Sequence, residues 1–566
     1  MQNSEFYSDV TVPGMLYAKL IRAPKDGILK NITPAPNLPA DIYFYTAKDI
    51  PGVNLARTLE TAAPVFAASK VSFKGEPVGI AAGENEKEVE RAAAQIIIEI
   101  EPDPDSAGPP RKILNRAFRN IPSGKEPETS GEELINIESS YAISHTSGIL
   151  AEPAGCFASF ADGKLTVCCP TEWARHLREN LSAALDIPAS KIEIIKSRAV
   201  SHSSVSVWYS AVLACQAGLA AMLSGHAVKL VLSREEHARF LENPMNCVIT
   251  HKSLAAHNGE IISMDIEILA DAGSENPFAR EILDRLAVSA AGMYRPKRLS
   301  VNASIVSSRE PPANVFLSRI EYHSFFAAEN HIQSIARRMS DFPLDARKIN
   351  STGTAARKNK SPFVFDLNNS DAVLDTVASA SDFSRKYSAY AMQSNKRKAG
   401  NRQPFSAPVR GIGIAWAFAP GAFYGTAFSE PGYAGYAEQE LEVTLEQDGA
   451  VTINTYQPPR SIKSIWTETA AALLDVPAAR VSFTSDFQRE REPFLPSQAY
   501  ADIGAMTELL RQCCGEAQKL RLAEPLPITV KRAAPQTRGE RWDSGQFCGQ
   551  PYHTTAPRSR RSGNRA

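Results

Sequence analysis

The sequence predicts an α/β protein with several domains, and three observations support this fold class. The chain has 566 residues, too many for one hydrophobic core and typical of roughly three or four domains. Residues 70–101 alternate strand-forming and helix-forming segments within one short stretch. A pattern of strand, helix and strand near residue 162 recurs near residue 448.

The first predicted unit covers residues 10–101. The segment "KVSFKGEPVGIAAG" (70–83) has strand composition around a Gly-Glu-Pro turn. The segment "EKEVERAAAQ" (86–95) favours a helix because its acids lie in the first turn, where they complement the helix dipole. The β-branched segment "IIIEIE" (96–101) is typical of a strand. The order predicts a compact α/β unit.

The internal repeat comprises residues 162–195 and 448–484. Each copy has an Asp-Gly turn, an alternating strand, a loop, an apolar helix ending at Leu-Asp-Ile/Val-Pro-Ala, and a second strand. Pro188 and Pro477 end their helices in the same way. Agreement in five successive elements predicts two related domains, and the crevice between them is the expected ligand site.

Two loops of the repeat, residues 169–175 and 456–463, each lead into a helix N-terminus. Backbone amides and the helix dipole make such an end suitable for a phosphate or another oxyanion.

Charge and composition limit the possible partners. The net charge is zero, with 43% apolar and 22% charged residues, which gives no reason to expect nucleic acid. Residues 527–566 carry eight Lys/Arg against two acids, a local charge of +6. This end lacks apolar periodicity and is expected to be disordered, or to result from a shifted reading frame.

No apolar run approaches the roughly 18 residues of a membrane helix, and the longest stretch is 211–223. The eight cysteines include adjacent pairs but no CxxC motif, so we expect neither a zinc nor an iron–sulfur site. Reduced cysteines in the cytoplasm are the expected state.

Several segments resemble one enzyme family. The segments "DVTVPGMLYAKLIRAP" (9–24), "LPADIYFYTAKDIPGVN" (38–54) and "VSFKGEPVGIAAG" (71–83) resemble the α/β hammerhead domain of the xanthine dehydrogenase and aldehyde oxidase family. Segments of the two repeat regions resemble its molybdopterin-binding domains: "LAEPAGCFASF" (150–160), "VKLVLSREEH" (228–237), "FFAAENHIQSIARRMSDFPLDARKIN" (325–350) and "RGIGIA" (410–415).

The resemblance implies an N-terminal hammerhead domain followed by two tandem, related molybdopterin-binding-like domains. The expected division is 5–105 hammerhead, 106–132 linker, 133–350 first molybdopterin-binding domain, 351–404 partly ordered linker, 405–525 truncated second domain and 526–566 basic disordered tail.

The resemblance also implies a cofactor and partners. The family holds a molybdenum–molybdopterin cofactor between its tandem domains and hydroxylates purines, aldehydes or N-heterocycles. Its electrons leave through iron–sulfur and FAD units, which we expect on separate partner subunits rather than on this chain. A homo-oligomer is a further possibility, and no nucleic acid or membrane partner is expected.

The family's short cofactor and substrate motifs are altered here. "VSHSSVSV" (200–207) replaces a glycine-rich loop and puts Val207 where the family has a substrate-binding glutamate. Leu317 replaces an arginine, and Pro459, Arg460 and Ser461 replace Gly-Gln-Gly. Hydrogen bonds to charged groups contribute roughly 1.5–3 kcal/mol each, so losing three would cost on the order of 5–9 kcal/mol of cofactor affinity.

Three residues remain as site candidates by this resemblance. Arg285 matches a substrate-contacting arginine, whereas Glu172 and Ser497 match positions beside the cofactor. Arg285 and Ser497 could equally be surface or capping residues. No catalytic residue and no metal ligand is identified, because the family's catalytic glutamate lies beyond the matched region.

The segment "NVFLSRIEYHSFFAAENHI" (314–332) contains Arg319, Glu321 and His323 in alternation. A strand would place all three on one face. We interpret them as a polar strand face before a packed helix, at the former position of a cofactor loop.

Three hypotheses follow. The first is a molybdenum hydroxylase large-subunit homologue, an oxidoreductase by family, with impaired catalysis. The second is a working hydroxylase whose missing glutamate comes from another polypeptide. The third is a non-catalytic scaffold that docks iron–sulfur or FAD subunits, or an intact paralogue.

Overall fold

The computed structural model describes most of the chain. It covers residues 6–562 except 35–38, 40, 59–60, 105–107, 122–124, 128–133, 145–152, 198–204, 242, 244, 315–319, 340–341, 352–369, 399–409, 418–439, 456–459, 485–502 and 534–559.

Helices and strands alternate along the described chain. The strands are β1 (Leu16–Arg22), β2 (Gly27–Thr33), β3 (Tyr43–Thr46), β4 (Leu55–Thr58), β5 (Thr61–Pro64), β6 (Lys70–Val71), β7 (Pro77–Gly83), β8 (Ile97–Glu101), β9 (Arg111–Asn120), β10 (Ile135–Ser144), β11 (Gly155–Ala161), β12 (Lys164–Cys169), β13 (Ile192–Lys196), β14 (Val228–Val231), β15 (Asn246–Ala255), β16 (Ile261–Asp271), β17 (Arg298–Ser307), β18 (Gly411–Gly413), β19 (Glu440–Leu445), β20 (Val451–Asn454), β21 (Val481–Thr484), β22 (Ile528–Ala533) and β23 (Arg560–Ser562). The helices are α1 (Glu86–Ala94), α2 (Ala174–Leu185), α3 (Ser210–Ser224), α4 (Arg234–Phe240), α5 (Ala279–Ser289), α6 (Ile320–Met339), α7 (Pro343–Ile349), α8 (Ser370–Ala380), α9 (Phe383–Lys398), α10 (Arg460–Leu474) and α11 (Ile503–Leu520).

Helix α1 forms where the sequence predicts it. The side chain of Asn85 accepts hydrogen bonds from the amides of Lys87 and Glu88 at 3.1 and 3.4 Å, which caps the N-terminus. Val89 and Ala92 are buried, one turn apart, and pack onto the sheet. The predicted α/β fold class is confirmed.

A seven-stranded sheet joins the N-terminal region to the first repeat. Its order is β13-β12-β11-β14-β1-β7-β3, with β1 parallel to β14 and antiparallel to β7. Leu16 and Leu20 of β1 lie in the same hydrophobic core as Leu230 of β14. One face of β1 is therefore part of the main hydrophobic core, whereas Ile21, Leu29, Val89 and Ile100 form a separate cluster within the N-terminal region.

The predicted internal repeat is confirmed and is longer than the sequence comparison suggested. The first copy runs β11-β12-α2-β13-α3-β14 and the second β19-β20-α10-β21-α11-β22. Their sheet orders correspond strand for strand, β13-β12-β11-β14 and β21-β20-β19-β22. Asp186 and Asp475, before the two matching prolines, both adopt left-handed backbone with φ of 53° and 54°.

A five-stranded sheet completes the middle of the chain, with order β10-β15-β16-β17-β9. Helices α5 and α6 pack together on one of its faces, where Ile249, Ile266 and Val301 are buried. This helix pair carries most of the charged side chains discussed below.

One predicted segment assignment is wrong in part. The predicted linker 106–132 contains β9, whose Leu114, Arg116 and Phe118 alternate towards the interior while the strand pairs with β17. The proline content of the flanks concealed this alternation. The segment 351–404, predicted as partly ordered, contains α8 and α9.

The basic tail predicted from residue 526 begins with a strand. β22 pairs with β19 and buries Ile528 and Val530 in a second hydrophobic core, which also contains Leu441 and Val443 of β19. Its Lys531 and Arg532 pair with Glu440 and Glu516, so part of the basic charge is neutralised within the fold. The division into domains as a whole stays a prediction.

Among the residues that the structure describes, one helical stretch, Val205–Ser224, is long and apolar enough to cross a membrane. This stretch is longer than the apolar run 211–223 predicted from the sequence, because residues 205–209 continue the helix at its N-terminal end. Of its most apolar window 94% is buried within the protein, where it packs against β11 and α2.

Candidate functional site

The loop between β12 and α2 is the first candidate position for an anionic cofactor. Its amides are largely engaged by the chain itself: Thr171 N donates to the Cys169 carbonyl at 3.0 Å, and Glu172 N donates to the Ser206 carbonyl at 2.7 Å. Trp173 N donates to the Thr171 hydroxyl at 3.2 Å. Glu172 is half-buried and adds a carboxylate beside the helix N-terminus, which disfavours an anion there.

The described segment that precedes α3 lies within the protein interior. Val205–Tyr209 forms a π-helical turn whose five residues are all buried. Val207, which is predicted to take the place of the family's substrate-binding glutamate, is fully buried in the main hydrophobic core. The preceding residues of the altered glycine-rich loop, 200–204, lie outside the described residues.

Arg285 on α5 lies between two carboxylates. Its Nε donates to Glu281 Oε1 and its Nη1 to Glu321 Oε1, both at 2.6 Å. The Arg285 side chain is 14% exposed, whereas those of Glu281 and Glu321 are 2% and 1% exposed. The arginine expected to contact substrate is therefore held in a nearly buried ion-pair cluster.

A second ion pair borders this cluster. Arg116 Nε of β9 donates to Asp284 Oδ1 at 2.9 Å, and Asp284 is fully buried. Burial raises the pKa of Asp284 to about 7, although Arg116 lowers it.

The prediction of a strand at Arg319, Glu321 and His323 is wrong. Helix α6 begins at Ile320, so Glu321 and His323 belong to its first turn and Arg319 lies outside the described residues. His323 Nδ1 donates to the Ile320 carbonyl at 3.2 Å. The helix forms because the apolar positions of "FFAAENHI" pack at helical spacing against α5.

Several predicted site residues cannot be located. Ser497, Leu317 and Pro459 lie outside the described residues, whereas Arg460 and Ser461 belong to the first turn of α10. The structure thus brings Arg285 together with Glu321, and it places Glu172 on the separate α2 loop. The role of each predicted site residue stays a prediction.

Sequence reasoning missed the two partners of Arg285. The spacing of Glu281 and Arg285, four residues apart, is a recognised signal for a pair on one helix face. Glu321 is 36 residues further along, and no local pattern connects it with Arg285.

A buried network crosses from α7 to the residues after β18. Arg347 Nε donates to Glu329 Oε2 at 3.0 Å, and the Tyr294 hydroxyl donates to Glu329 Oε1. Trp416 Nε1 donates to the Tyr294 hydroxyl at 3.1 Å. Arg347 is the largest fully buried side chain described. Its packing on all sides indicates a structural role.

Two histidines stack between the five-stranded sheet and α6. The rings of His251 and His331 lie 5.0 Å apart, and both side chains are fully buried. His331 bonds the hydroxyls of Ser253 and Ser139 at 2.8 and 3.1 Å. Burial lowers the pKa of His251 to about 4 and that of His331 to about 3.

We expect these histidines to make the protein sensitive to acid. An unfolded histidine binds a proton near pH 6.5, whereas the folded pair does not, so stability falls as the pH drops below 6.5. Between pH 7 and pH 5 each histidine should lower the free energy of unfolding by about 2 kcal/mol. In His331→Gln the unfolding free energy should therefore fall by about 2 kcal/mol less between pH 7 and pH 5 than it does in wild type. Urea titrations at both pH values measure this difference.

The pH dependence of His331→Gln must be compared with that of wild type, because two buried carboxyl groups also titrate in this pH range. Burial raises the pKa values of Asp284 and Glu76 to about 7. Those carboxyls stabilise the fold as the pH falls through the same window. The exposed residue His257 provides the matched control, and His257→Gln should leave the pH dependence unchanged. An unchanged pH dependence in His331→Gln would contradict the expectation.

No group of three or more His, Cys, Asp or Glu side chains suited to a metal ion occurs among the described residues. The described cysteines are all buried, and none forms a disulfide: Cys156, Cys168, Cys169, Cys215, Cys247, Cys513 and Cys514. Burial raises the pKa of Cys215 and Cys514 to about 12, which makes these thiols poor nucleophiles.

Two family models match the chain. Residues 3–104 match the aldehyde oxidase and xanthine dehydrogenase a/b hammerhead domain. Residues 112–351 match the molybdopterin cofactor-binding domain. These two consecutive matches define a chain of the molybdopterin-dependent hydroxylase class.

Curated relatives agree with the family models. The chain is 27% identical over 370 residues to a probable xanthine dehydrogenase subunit of Bacillus subtilis, a match of 61% of this chain and 48% of that protein. It is 22% identical over 395 residues to the nicotinate dehydrogenase large molybdopterin subunit of Eubacterium barkeri, covering 67% of this chain and 92% of that one. The chain belongs to the xanthine dehydrogenase and aldehyde oxidase family.

Solved structures share the fold. A Cu,Mo-CO dehydrogenase superposes with a TM-score of 0.72 at 17% identity, covering 92% of this chain and 71% of that chain. The aldehyde oxidoreductase from Desulfovibrio gigas gives a TM-score of 0.65 at 17% identity, covering 93% and 60%. The match to the Bacillus relative spans about half of that relative's length, 48%.

The described residues do not fit an anionic molybdopterin well. At the α2 loop three amides already have acceptors within the chain, and Glu172 contributes a negative charge. Arg285 is occupied by Glu281 and Glu321. A pterin phosphate bound at these positions would displace existing hydrogen bonds, each of which contributes roughly 0.5–1.5 kcal/mol.

Proposed function

We propose that this chain is a large-subunit homologue of the molybdenum hydroxylases whose catalytic equipment is impaired. The family membership supports an oxidoreductase ancestry, since the relatives include a xanthine dehydrogenase subunit and a nicotinate dehydrogenase large subunit. The substrate of this chain does not follow from those names, because the residues that select substrates in the family are the ones altered here.

The observation that carries the proposal is the hydrogen bonding of the α2 loop, the segment between β12 and α2. Its amides bond Cys169, Ser206 and Thr171 rather than pointing towards a ligand. The residue that should supply a substrate-binding carboxylate is the buried Val207. Restoring a cofactor site would require the loop to open and an apolar core position to change.

We expect purified protein to contain far less than stoichiometric molybdenum. The reason is the expected affinity loss on the order of 5–9 kcal/mol from three lost contacts to charged groups, together with the amides of the α2 loop that already have acceptors within the chain. Elemental mass spectrometry would measure molybdenum per chain, and fluorescence of the oxidised pterin would measure the organic part. An intact family member, expressed in the same host, controls for cofactor supply.

Near-stoichiometric molybdenum together with turnover of xanthine or an aldehyde would contradict impairment. That result would support the working hydroxylase whose catalytic glutamate comes from another polypeptide. Glu172→Gln offers a matched variant, because replacing the acid by an amide should raise molybdenum content only if the α2 loop contacts the cofactor.

A second candidate function is a non-catalytic subunit that docks iron–sulfur or FAD partners, or an intact paralogue. The sheet that joins the N-terminal region to the first repeat favours this function. In it β1 pairs with both β14 and β7, so the fold is preserved although the residues at the cofactor positions have changed. Deleting the N-terminal region would therefore unfold the protein and cannot test docking. Co-purification of the tagged full chain with candidate subunits tests it, and a lone monomer would contradict it.

A further inference from the structure

We propose that the edge strand β10 is the surface through which two copies of this chain associate. The two β10 strands pair antiparallel about a two-fold axis at Ser139, and the two five-stranded sheets become one continuous sheet. This inference concerns assembly and goes beyond the proposed function, because it does not depend on whether the chain binds molybdopterin.

Strand β10 lies at one end of the five-stranded sheet. Within the part of the chain that the structure describes, it pairs only with β15, through ten consecutive residues without a register shift. The outer side of such a strand carries backbone amide and carbonyl groups that can pair with a further strand. Strands of about 5–6 residues are the most common, so β10 offers an unusually long edge.

The two edges of this sheet differ in the features that block further pairing. At the opposite edge, the register between β17 and β9 shifts between Ile305 and Val306. β9 also carries three exposed basic side chains, those of Arg111, Lys112 and Arg119. Irregular pairing and basic side chains keep edge strands from joining other chains. β10 has a regular register and contains no Lys, Arg, Pro or Gly, so it is the edge that can accept a strand.

The apolar residues of β10 identify a second copy as the partner, because the strand is complementary to itself in the antiparallel orientation. When Ser139 lies opposite Ser139 of the second copy, Ile135 lies opposite Ile143 and Ile137 opposite Tyr141. All of these side chains project to the face of the sheet that α6 covers. Directly opposite apolar side chains stabilise a sheet, so this register matches every apolar side chain on that face with another.

The polar face of β10 fits the same register. Glu138 is the one charged residue of the strand, and it lies opposite Ser140 of the second copy rather than opposite a second carboxylate. Lys252 of β15 also pairs with Glu138 within the same chain, at 3.4 Å. Pairing therefore opposes no like charges, which would destabilise the sheet.

An exposed aromatic patch borders this edge. Tyr322 and Phe326, one turn apart on α6, are 53% and 52% exposed. The Phe326 ring meets the Tyr141 ring edge to face, with centroids 6.0 Å apart. Tyr141, Ile135 and Ile143 are only half-buried in the single chain. Contiguous apolar surface of this kind marks an interaction site, and a second β10 strand would cover it.

Sedimentation velocity of the full chain over a concentration series tests association. We expect wild type to reach twice the mass of the single chain and Tyr141→Lys to keep the single-chain mass over the same series. An inward-pointing charge on an edge strand prevents pairing, whereas in the single chain the lysine ammonium can reach water past the open edge. Circular dichroism of Tyr141→Lys checks that the variant is folded.

Leu269→Lys is the matched control. Leu269 is 50% exposed on β16, the central strand, and projects from the face of the sheet away from α6. Its replacement adds the same charge to the same sheet without touching the β10 edge. Leu269→Lys should therefore associate as wild type does.

Disulfide formation between two variants tests the register. Opposite residues of antiparallel strands have Cα atoms about 4.5–5.5 Å apart, within the range of a disulfide. Glu138→Cys and Ser140→Cys, mixed and then oxidised, should therefore form a covalent dimer of the two variants. Either variant oxidised alone should give far less dimer, and wild type controls for the native cysteines. This test does not depend on the folding of Tyr141→Lys.

Four results would overturn the proposal. Wild type could keep the single-chain mass at every concentration, or its dimer could be dissociated by Leu269→Lys and not by Tyr141→Lys. The mixed cysteine variants could cross-link no better than each variant alone. A different protein could bind wild type and fail to bind Tyr141→Lys, which would give the edge another occupant. Molybdenum content of the same samples tests the proposed function separately, since neither result determines the other.

Discussion

Replacing Arg347 with methionine should lower the free energy of unfolding by about 3–5 kcal/mol, the range for breaking a buried ion pair by removing one partner. Arg347 Nε bonds Glu329 at 3.0 Å and its Nη1 bonds the Pro343 carbonyl at 2.9 Å. Methionine fills much of the volume but offers no donor. The Glu329 carboxylate would then stay buried with the Tyr294 hydroxyl and the Trp416 backbone amide as hydrogen-bond donors, and without a cation.

The effect should extend beyond the two residues, because Trp416 bonds Tyr294 at 3.1 Å and completes the network. Adding Glu329→Gln to Arg347→Met removes the isolated charge. The double variant should therefore recover part of the lost stability, which a double-mutant cycle measures as a coupling energy. Urea unfolding followed by tryptophan fluorescence provides the free energies.

Arg385 provides the matched control. It pairs with Asp382 at the surface, and its side chain is 74% exposed. Exposed pairs contribute roughly 0–1 kcal/mol, so Arg385→Met should change stability little. If Arg347→Met and Arg385→Met had similar small effects, the buried network would not be a stabilising element.

The internal repeat shows how much of the fold the sequence could predict. The copies share an Asp-Gly turn and a proline that ends the helix, and local backbone chemistry alone determines both features. The repeat could be predicted from the sequence only as far as the second strand of each copy, because the helices that follow, α3 and α11, differ in length and composition. The final strands β14 and β22 correspond only through their positions beside β11 and β19.

The strand β22 was predicted as disordered because its sequence "ITVKRA" carries basic residues and precedes a polar segment. Two apolar residues, Ile528 and Val530, are enough to hold it, since the second core already presents Leu441 and Val443 on the adjacent strand. A short strand of this kind depends on its neighbour rather than on its own pattern, so composition alone could not reveal it.

The candidate site was less predictable than the fold. Arg285 was identified through resemblance, but its environment depends on Glu321, which reaches it through the packing of α6 on α5. The alternation of Arg319, Glu321 and His323 suggested a strand, yet the apolar spacing that follows them determines a helix. Long-range ion pairs cannot be derived from local periodicity.

Gly155→Ala should destabilise the protein by about 3 kcal/mol, at the upper end of the usual overpacking cost. Gly155 of β11 pairs with Val231 of β14. A Cβ at this position would lie 2.1 Å from the Leu230 carbonyl oxygen and 2.9 Å from the Tyr7 hydroxyl oxygen. Because the nearer atom belongs to a backbone held on its other side by β1, it cannot move aside without disturbing the seven-stranded sheet.

Gly515→Ala serves as the control, because it should change the free energy of unfolding in the opposite direction. Gly515 lies within α11, and among the described residues no atom outside the backbone of its own helix turn lies within 4 Å of the position that its Cβ would take. Alanine is preferred over glycine in a helix interior by about 0.8–1 kcal/mol, so the substitution should stabilise the protein by about that amount. Urea midpoints of the two variants should therefore move in opposite directions from wild type, and a stable Gly155→Ala protein would show that β11 and β14 are not in van der Waals contact at this position.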